Sequence, residues 1–333
     1  MKKTKTAKPA MIARAAARNV KLEVAGLVKS YGRNRVLDDV SFSVRGNEVF
    51  GLLGPNGAGK TTMIRIILDV LRQDAGRVKL FGKEAGGGDG LSAEKAKERI
   101  GYLPEEGSLY KDSTVEEVVR YFASLKGCDL DESRLREWLE RFDLQDHREK
   151  KIDELSKGMQ RKVLFIIAVV HEPEILILDE PFSGLDPVNR KLVKDIILRL
   201  KKKGMTIIMS THQMGEVERM CDRILMINKG RSVLYGGLNE IKKRFGFSVF
   251  VDYKGSLPRL AGVKKLDDYG SHAELVLKKG TSTQALMRKL ASSKAEISRF
   301  DVKTRSLSEI FISVVEDGND GKDGKDSNGG KGN

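Results

Sequence analysis

A glycine-rich octapeptide, Gly54-Pro55-Asn56-Gly57-Ala58-Gly59-Lys60-Thr61, is the stretch of this chain best suited to holding phosphate. Its glycines let the backbone curl until several N–H groups point at one centre, and a helix starting there adds the positive end of its dipole. Lys60 is placed to reach the β- and γ-phosphates of a nucleotide, and Thr61 to offer its hydroxyl to Mg²⁺, with Thr62 alongside. A second constellation follows far along the chain, where the apolar run Ile175-Leu176-Ile177-Leu178 ends in Asp179-Glu180. A buried strand of that kind delivers carboxylates to its C-terminal edge. There Asp179 can hold Mg²⁺, usually through water, and Glu180 can orient and partly deprotonate an attacking water. Each group alone has a plainer reading, a chance glycine pattern or two solvated acids at a strand end. Together they point to phosphoryl transfer to water.

The elements that must position these groups show in the apolar periodicity. Residues 20–53 read as strands: Val40, Phe42 and Val44 alternate with polar residues, and 49–53 is a continuous apolar strand running into the glycine loop. A helix is expected over 59–71 and a strand over 76–81. Gly86-Gly87-Gly88-Asp89-Gly90 breaks all periodicity and reads as a mobile loop. After a short strand at 99–103 the pattern turns helical. Thr114-Val115-Glu116-Glu117 resembles a helix cap, and Leu135, Trp138, Leu139 and Phe142 recur at helical spacing, so Trp138 reads as core rather than as a ligand platform. From 175 onward, strands at 175–178, 206–210 and 223–227 alternate with helices at 188–203 and 213–220, the first ending in Lys201-Lys202-Lys203 before a glycine cap. That rhythm predicts an α/β fold, a mainly parallel sheet with helices on both faces.

Beyond residue 245 the rhythm changes. Val249 and Val251 alternate, as do Leu275 and Leu277, and helices at 283–290 and 307–315 flank a strand at 297–304. A small α+β domain over 245–315 is expected, with a ferredoxin-like topology as the working guess. Residues 317–333 contain only Gly, Asp, Lys, Asn and Ser and are expected to be disordered. The phosphate loop has no second copy, so one nucleotide-binding domain is expected per chain.

Composition sets the outer limits. The 333 residues are 40% hydrophobic and 32% charged, an ordinary globular balance. The longest apolar run, 163–170, falls far short of the roughly 18–20 residues that a membrane span needs. Net charge is +14, and no acid precedes Glu23. Residues 1–19 read as a basic flexible arm; attraction to anionic lipid or RNA phosphate and an organellar presequence are the alternatives. Cys128 and Cys221 lack any zinc or redox spacing, so both read as inert packing residues in a reducing compartment.

One further segment decides between nucleotide-binding classes. Leu155-Ser156-Lys157-Gly158-Met159 places a Ser-x-Gly helix start upstream of the Asp-Glu strand. With the phosphate loop and the strand end in that order, residues 20–240 resemble the ATP-binding-cassette (ABC) ATPases, implying a P-loop nucleotide-binding domain with a helical subdomain. The resemblance extends to Tyr31, where the family stacks an aromatic on adenine. It also covers Ser183-Gly184-Leu185-Asp186, whose Asp lies at the dimer seam, and His212, the switch histidine that contacts the γ-phosphate. The family carries ATP and Mg²⁺, with Thr61, Glu105 and Asp179 expected at the metal. Two domains sandwich two ATP molecules head to tail, Ser156 and the Gly158 N–H of one completing the phosphate cage of the other.

Three positions depart from the family pattern. Lys157 and Met159 replace a glycine and a glutamine; Lys157 either adds charge near the phosphates or faces solvent, and Met159 removes a ribose-binding amide, although Gln160 lies next door. Glu105 replaces the glutamine that touches Mg²⁺ and water and signals to the transmembrane partner. From Tyr102 to Tyr110 the chain resembles the exporter branch, whose members often carry a small C-terminal domain. The resemblance therefore implies an ATP-hydrolysing subunit at the cytoplasmic face of the membrane, attached peripherally through a separate permease. Both half-site elements are present, so a homodimer is expected. Nucleic acid is not an expected partner, and a soluble ABC ATPase acting on the ribosome or nucleic acid is the alternative.

Overall fold

The computed structural model describes residues 19–84, 95–278 and 280–320, with side chains described to residue 315. Most of the basic arm, the polyglycine segment at 86–90 and the end of the tail lie outside the described residues. The chain divides between Tyr235 and Gly236 into two compact units, each described by itself.

The first unit opens with an antiparallel pair, β1 (Val20–Tyr31) and β2 (Asn34–Arg45), followed by β3 (Val49–Leu53), helix α1 (Lys60–Ile67), β4 (Ala75–Leu80) and β5 (Lys83–Glu84). Next come β6 (Ile100–Leu103), α2 (Val115–Leu125), α3 (Glu132–Arg141) and α4 (Lys157–Val169). The unit closes with β7 (Ile175–Asp179), α5 (Pro187–Lys202), β8 (Thr206–Thr211), α6 (Met214–Met220), β9 (Arg223–Asn228) and β10 (Arg231–Gly237). One sheet has the order β2-β1-β4-β5 and the other β10-β9-β3-β8-β7-β6. In the second sheet β9, β3, β8, β7 and β6 run parallel, and β3, β7 and β8 are buried along their whole length. Parallel strands covered on both faces need no polar alternation, so their sequences are continuous apolar runs.

Helix α1 buries Met63, Ile64, Ile66 and Ile67 in a core shared with Leu22, Phe42 and Phe50. It stops short of the expected residue 71. Asp69 adopts φ 54°, the Asp69 N–H donates to the Ile66 carbonyl and the Val70 N–H to the Arg65 carbonyl. This left-handed stop usually employs glycine, and here an aspartate supplies it. The cap at Thr114 forms as expected: its hydroxyl accepts from the Glu117 N–H at 3.2 Å, and the Glu117 carboxylate accepts from the Thr114 N–H at 2.8 Å. Trp138 is buried beside Phe142, with the Arg141 guanidinium over its ring.

The second unit comprises α7 (Leu238–Phe245), β11 (Phe247–Lys254), β12 (Val263–Asp268), β13 (His272–Leu277), α8 (Thr283–Ala291), β14 (Glu296–Thr304) and α9 (Leu307–Asp320). Its strands run antiparallel in the order β12-β13-β11-β14. That is the ferredoxin-like order, with a loop rather than a helix carrying the first crossover. Val249, Val251, Leu275, Leu286 and Leu290 form its core. Helix α9 continues to Asp320, past residue 317 where the tail was expected to begin, because a helix already nucleated over 307–316 adds further residues without paying for a new nucleus.

Candidate functional site

Loop geometry at the phosphate site follows from β3 delivering the chain to the sheet edge and α1 carrying it away. Gly59 stands at φ 107°, and a Cβ there would sit 2.7 Å from a Leu37 methyl and 2.9 Å from the Val36 carbonyl of β2. Only glycine lets the loop pack this closely on β2. The Lys60 ammonium is held by the Gly54 carbonyl at 2.8 Å and the Pro55 carbonyl at 3.2 Å, and the Ala58 N–H closes the curl by donating to the Pro55 carbonyl. Burial lowers the Lys60 pKa, and the charges of Glu180, Asp179 and Glu105, in that order, oppose the shift.

Asn56, Gly57, Gly59 and Lys60 to Thr62 line one cleft of about 480 Å³ together with Glu105, Asp179 and Glu180. Asn34 and Val36 complete its wall, and sequence reasoning missed both. Tyr31, half exposed, pairs with Asn34 across the turn that opens β2. His212 reaches the site through Glu180 rather than by lining the cleft. Ser156, Gly158 and Asp186 do not line it.

The two acids at the end of β7 are almost fully buried and differently held. The Ser210 hydroxyl donates to Asp179 Oδ1, whereas Asp179 Oδ2 is buried without a partner. A buried carboxylate oxygen left unpaired is costly, and a hard cation satisfies it. No group of three or more His, Cys, Asp or Glu residues gathers at a metal-binding distance among the described residues. The Asp179 carboxylate and the Thr61 hydroxyl are hard oxygen donors of the kind that Mg²⁺ takes beside water and phosphate. Asp179 and the Thr61 hydroxyl would hold it, with the exposed Glu105 at the cleft wall.

Glu180 adopts φ 47°, a conformation that side-chain-bearing residues rarely take. Its N–H donates to the Ser210 carbonyl at 3.1 Å. Its Oε1 accepts from the His212 backbone N–H at 3.1 Å and the imidazole Nδ1 at 2.8 Å, and its Oε2 accepts from the Thr211 hydroxyl at 3.1 Å. Three donors occupy a carboxylate with about four acceptor positions, leaving room for a water.

Arg161 was missed by sequence reasoning, because a cation beside Lys162 in the first turns of a helix gives no sign of its partners. Its Nη1 donates to the Pro104 and Glu105 carbonyls at 2.5 and 2.7 Å, and its Nη2 to the Asp179 and Glu180 carbonyls, each at 2.9 Å.

At the start of α4, Ser156 accepts from the Met159 N–H at 3.3 Å and caps the helix, and Lys157 is exposed. The Gln160 amide donates to the Ile152 and Leu155 carbonyls, so it is committed to its own loop. Asp186 caps α5 through the Val188 and Asn189 N–H groups, and hydrogen bonds from Asn189 hold its carboxyl below the usual range. Farther along α5, Lys194 pairs with Glu216 of α6; both are largely shielded from water, and the ammonium lies 5.6 Å from the Phe182 ring centre.

A second, apolar groove of about 500 Å³ lies between the β6 exit and helices α2 and α4, walled by Leu68, Tyr102, Leu109, Phe122, Leu125 and Leu164. Gly107 and Ser108 from the stretch after Glu105 also line it.

Comparison with known proteins agrees with this geometry. Residues 37–183 match the family described as ABC transporter, and residues 236–315 match the C-terminal domain of DrrA1-3-like ATP-binding proteins. An uncharacterised ABC transporter ATP-binding protein of Bacillus subtilis is 38% identical over 300 residues, covering 88% of this chain and 98% of the relative. A Nod factor export ATP-binding protein of Ralstonia nicotianae is 38% identical over 242 residues, covering 72% and 74%. Among solved structures, an ATP-binding subunit of an ABC transporter superposes with a TM-score of 0.62 at 34% identity, covering 68% of this chain and 93% of that one. The chain therefore belongs to the ATP-binding subunits of the ABC transporter family and carries a DrrA1-3-like C-terminal domain.

Proposed function

We propose that this subunit hydrolyses ATP at the Lys60–Asp179–Glu180 cleft and drives a separately encoded permease, working as an exporter at the cytoplasmic face of the membrane. The observation that carries the reading is Glu180, a buried carboxylate on the same cleft as Lys60, with both its oxygens held by donors from the end of β8. The loop amides and the α1 N-terminus bind the phosphates, with Lys60 on the β- and γ-oxygens and Tyr31 against the adenine. Mg²⁺, held by Thr61 and Asp179 beside Glu105, supplies neutralisation of charge on the phosphates when bound. Glu180 orients the attacking water and takes up its proton, while His212 steadies Glu180 and contacts the γ-phosphate. Ser156 and the Gly158 N–H of a second copy close the cage, so the working unit is a homodimer with Asp186 at its seam. Closing and reopening of this dimer bias the permease between two states. The apolar groove beside the Glu105 loop suits a docking segment of the permease. Among the described residues no helix is long and apolar enough to cross a membrane, which fits peripheral attachment. Export is favoured by the Nod factor relative's name.

Ser156→Arg should abolish ATP-dependent dimer closure, seen as loss of the doubled mass in light scattering, while monomers bind ATP as before. Equal loss of both would sink the contact across the seam. A detergent pull-down from native membranes should recover a multi-span protein. Recovery of ribosomal components, or retention of the pure subunit on protein-free anionic liposomes in high salt, would contradict permease docking.

A further inference from the structure

Arg161 occupies an unusual position for a cation. It is 8% exposed, and among the described residues its partners are four backbone carbonyls rather than a carboxylate. Burial lowers its pKa, opposed by the charges of Asp179 and Glu105, so the guanidinium is held at a cost that the four carbonyl dipoles offset. Those carbonyls are not scattered. They belong to the exits of the adjacent parallel strands β6 and β7, where the chain turns toward Glu105 and Glu180. A planar fork with two terminal nitrogens can span two such exits at once, which an ammonium cannot.

The consequence falls on Glu180. A left-handed conformation at a glutamate is strained and persists only where the surroundings over-determine it. The peptide before Glu180 is fixed by its N–H on the Ser210 carbonyl and by the Asp179 carbonyl on Arg161, and the peptide after it by its own carbonyl on Arg161. We propose that Arg161 is a positioning residue that holds Glu180 in this conformation, aiming its carboxylate at His212 and the cleft, and that sets the Glu105 loop at the same time. Its place on α4, the helix that Ser156 caps, ties that helix to the reacting carboxylate. The inference rests on Glu180 acting on the water, as proposed above.

The test uses the full-length chain and five proteins: wild type, Arg161→Gln, Arg161→Lys, Glu180→Gln and the double variant Arg161→Gln/Glu180→Gln. Arg161→Gln should lower kcat by about 10- to 100-fold, the scale expected of a carboxylate misplaced by ~1 Å. KM and the Kd for a fluorescent ATP analogue should barely change, since none of the hydrogen bonds Arg161 makes reaches the phosphate loop. Arg161→Lys should recover part of kcat, and Arg161→Gln placed on Glu180→Gln should cause no further loss, because both act through one group. Unchanged kcat in both Arg161 variants overturns the proposal. So does a parallel fall of kcat, nucleotide affinity and thermal midpoint in both, which marks a structural role alone. Full turnover in Glu180→Gln instead removes Glu180 from the reaction, and with it the reading on which the present inference rests. A dead Glu180→Gln beside active Arg161 variants removes only the present inference. If Arg161→Gln does not fold, the kcat-against-KM split of Arg161→Lys decides.

Discussion

Glu180→Gln is expected to lower steady-state ATP turnover by roughly 10²- to 10⁴-fold, the range assigned to loss of a positioned general base, while ATP-bound dimers accumulate. The substitution keeps the volume of a buried side chain, and one amide oxygen can still accept from the His212 N–H, so the local frame should survive. What disappears is the acceptor for the water's proton. Binding groups are untouched, because Lys60 is tethered to the Gly54 and Pro55 carbonyls and not to Glu180. Phosphate release measured beside light scattering separates the two effects. Turnover near wild type would remove Glu180 from the reaction and assign the water to another group of the cleft.

The largest expected effect on stability lies elsewhere, at Gly101 in β6. A Cβ there would stand 1.9 Å from the Ala168 carbonyl of α4 and 2.9 Å from the Pro173 ring. Neither neighbour is the free end of a flexible side chain, so α4 and β6 must move apart. Overpacking of this kind costs about 1–3 kcal/mol or more, and in a unit of this size that shifts Tm by roughly 2–4 °C per kcal/mol. Gly101→Ala should therefore melt roughly 5–10 °C below wild type in a calorimetric scan. It should also weaken turnover, because Arg161 and Gly101 depend on the same seating of α4. An unchanged Tm would mean that the helix and strand approach less closely than described here.

What could be read in advance was whatever is written in consecutive residues. The phosphate loop, the Asp-Glu strand end and the Ser-x-Gly helix start each act through neighbours in the chain, and the buried parallel strands announce themselves as apolar runs. The residues that escaped are those whose meaning depends on distant packing. Arg161 lies 56 positions from Glu105, and nothing in its flanking residues Gln160 and Lys162 says that it will meet the exits of β6 and β7. Gly101 looks like any strand glycine until α4 lies over it. Asn34 and Val36 join the cleft only because β2 folds back against the phosphate loop. The end of α1 escaped because an aspartate stands where a stop signal is usually glycine. Strand β12 escaped because an exposed edge strand, here Val-Lys-Lys-Leu-Asp-Asp, has no need to alternate.

The shielded Lys194–Glu216 pair has a mechanical reading. Helices α5 and α6 each begin just after a loop of consequence, one bearing Asp186 and the other His212. An ion pair screened from water is not exchanged freely for hydration, so sliding one helix past the other means separating charges that the solvent cannot readily reach. The pair therefore fastens the helix that follows Asp186 to the helix that follows His212, at a point outside the nucleotide cleft.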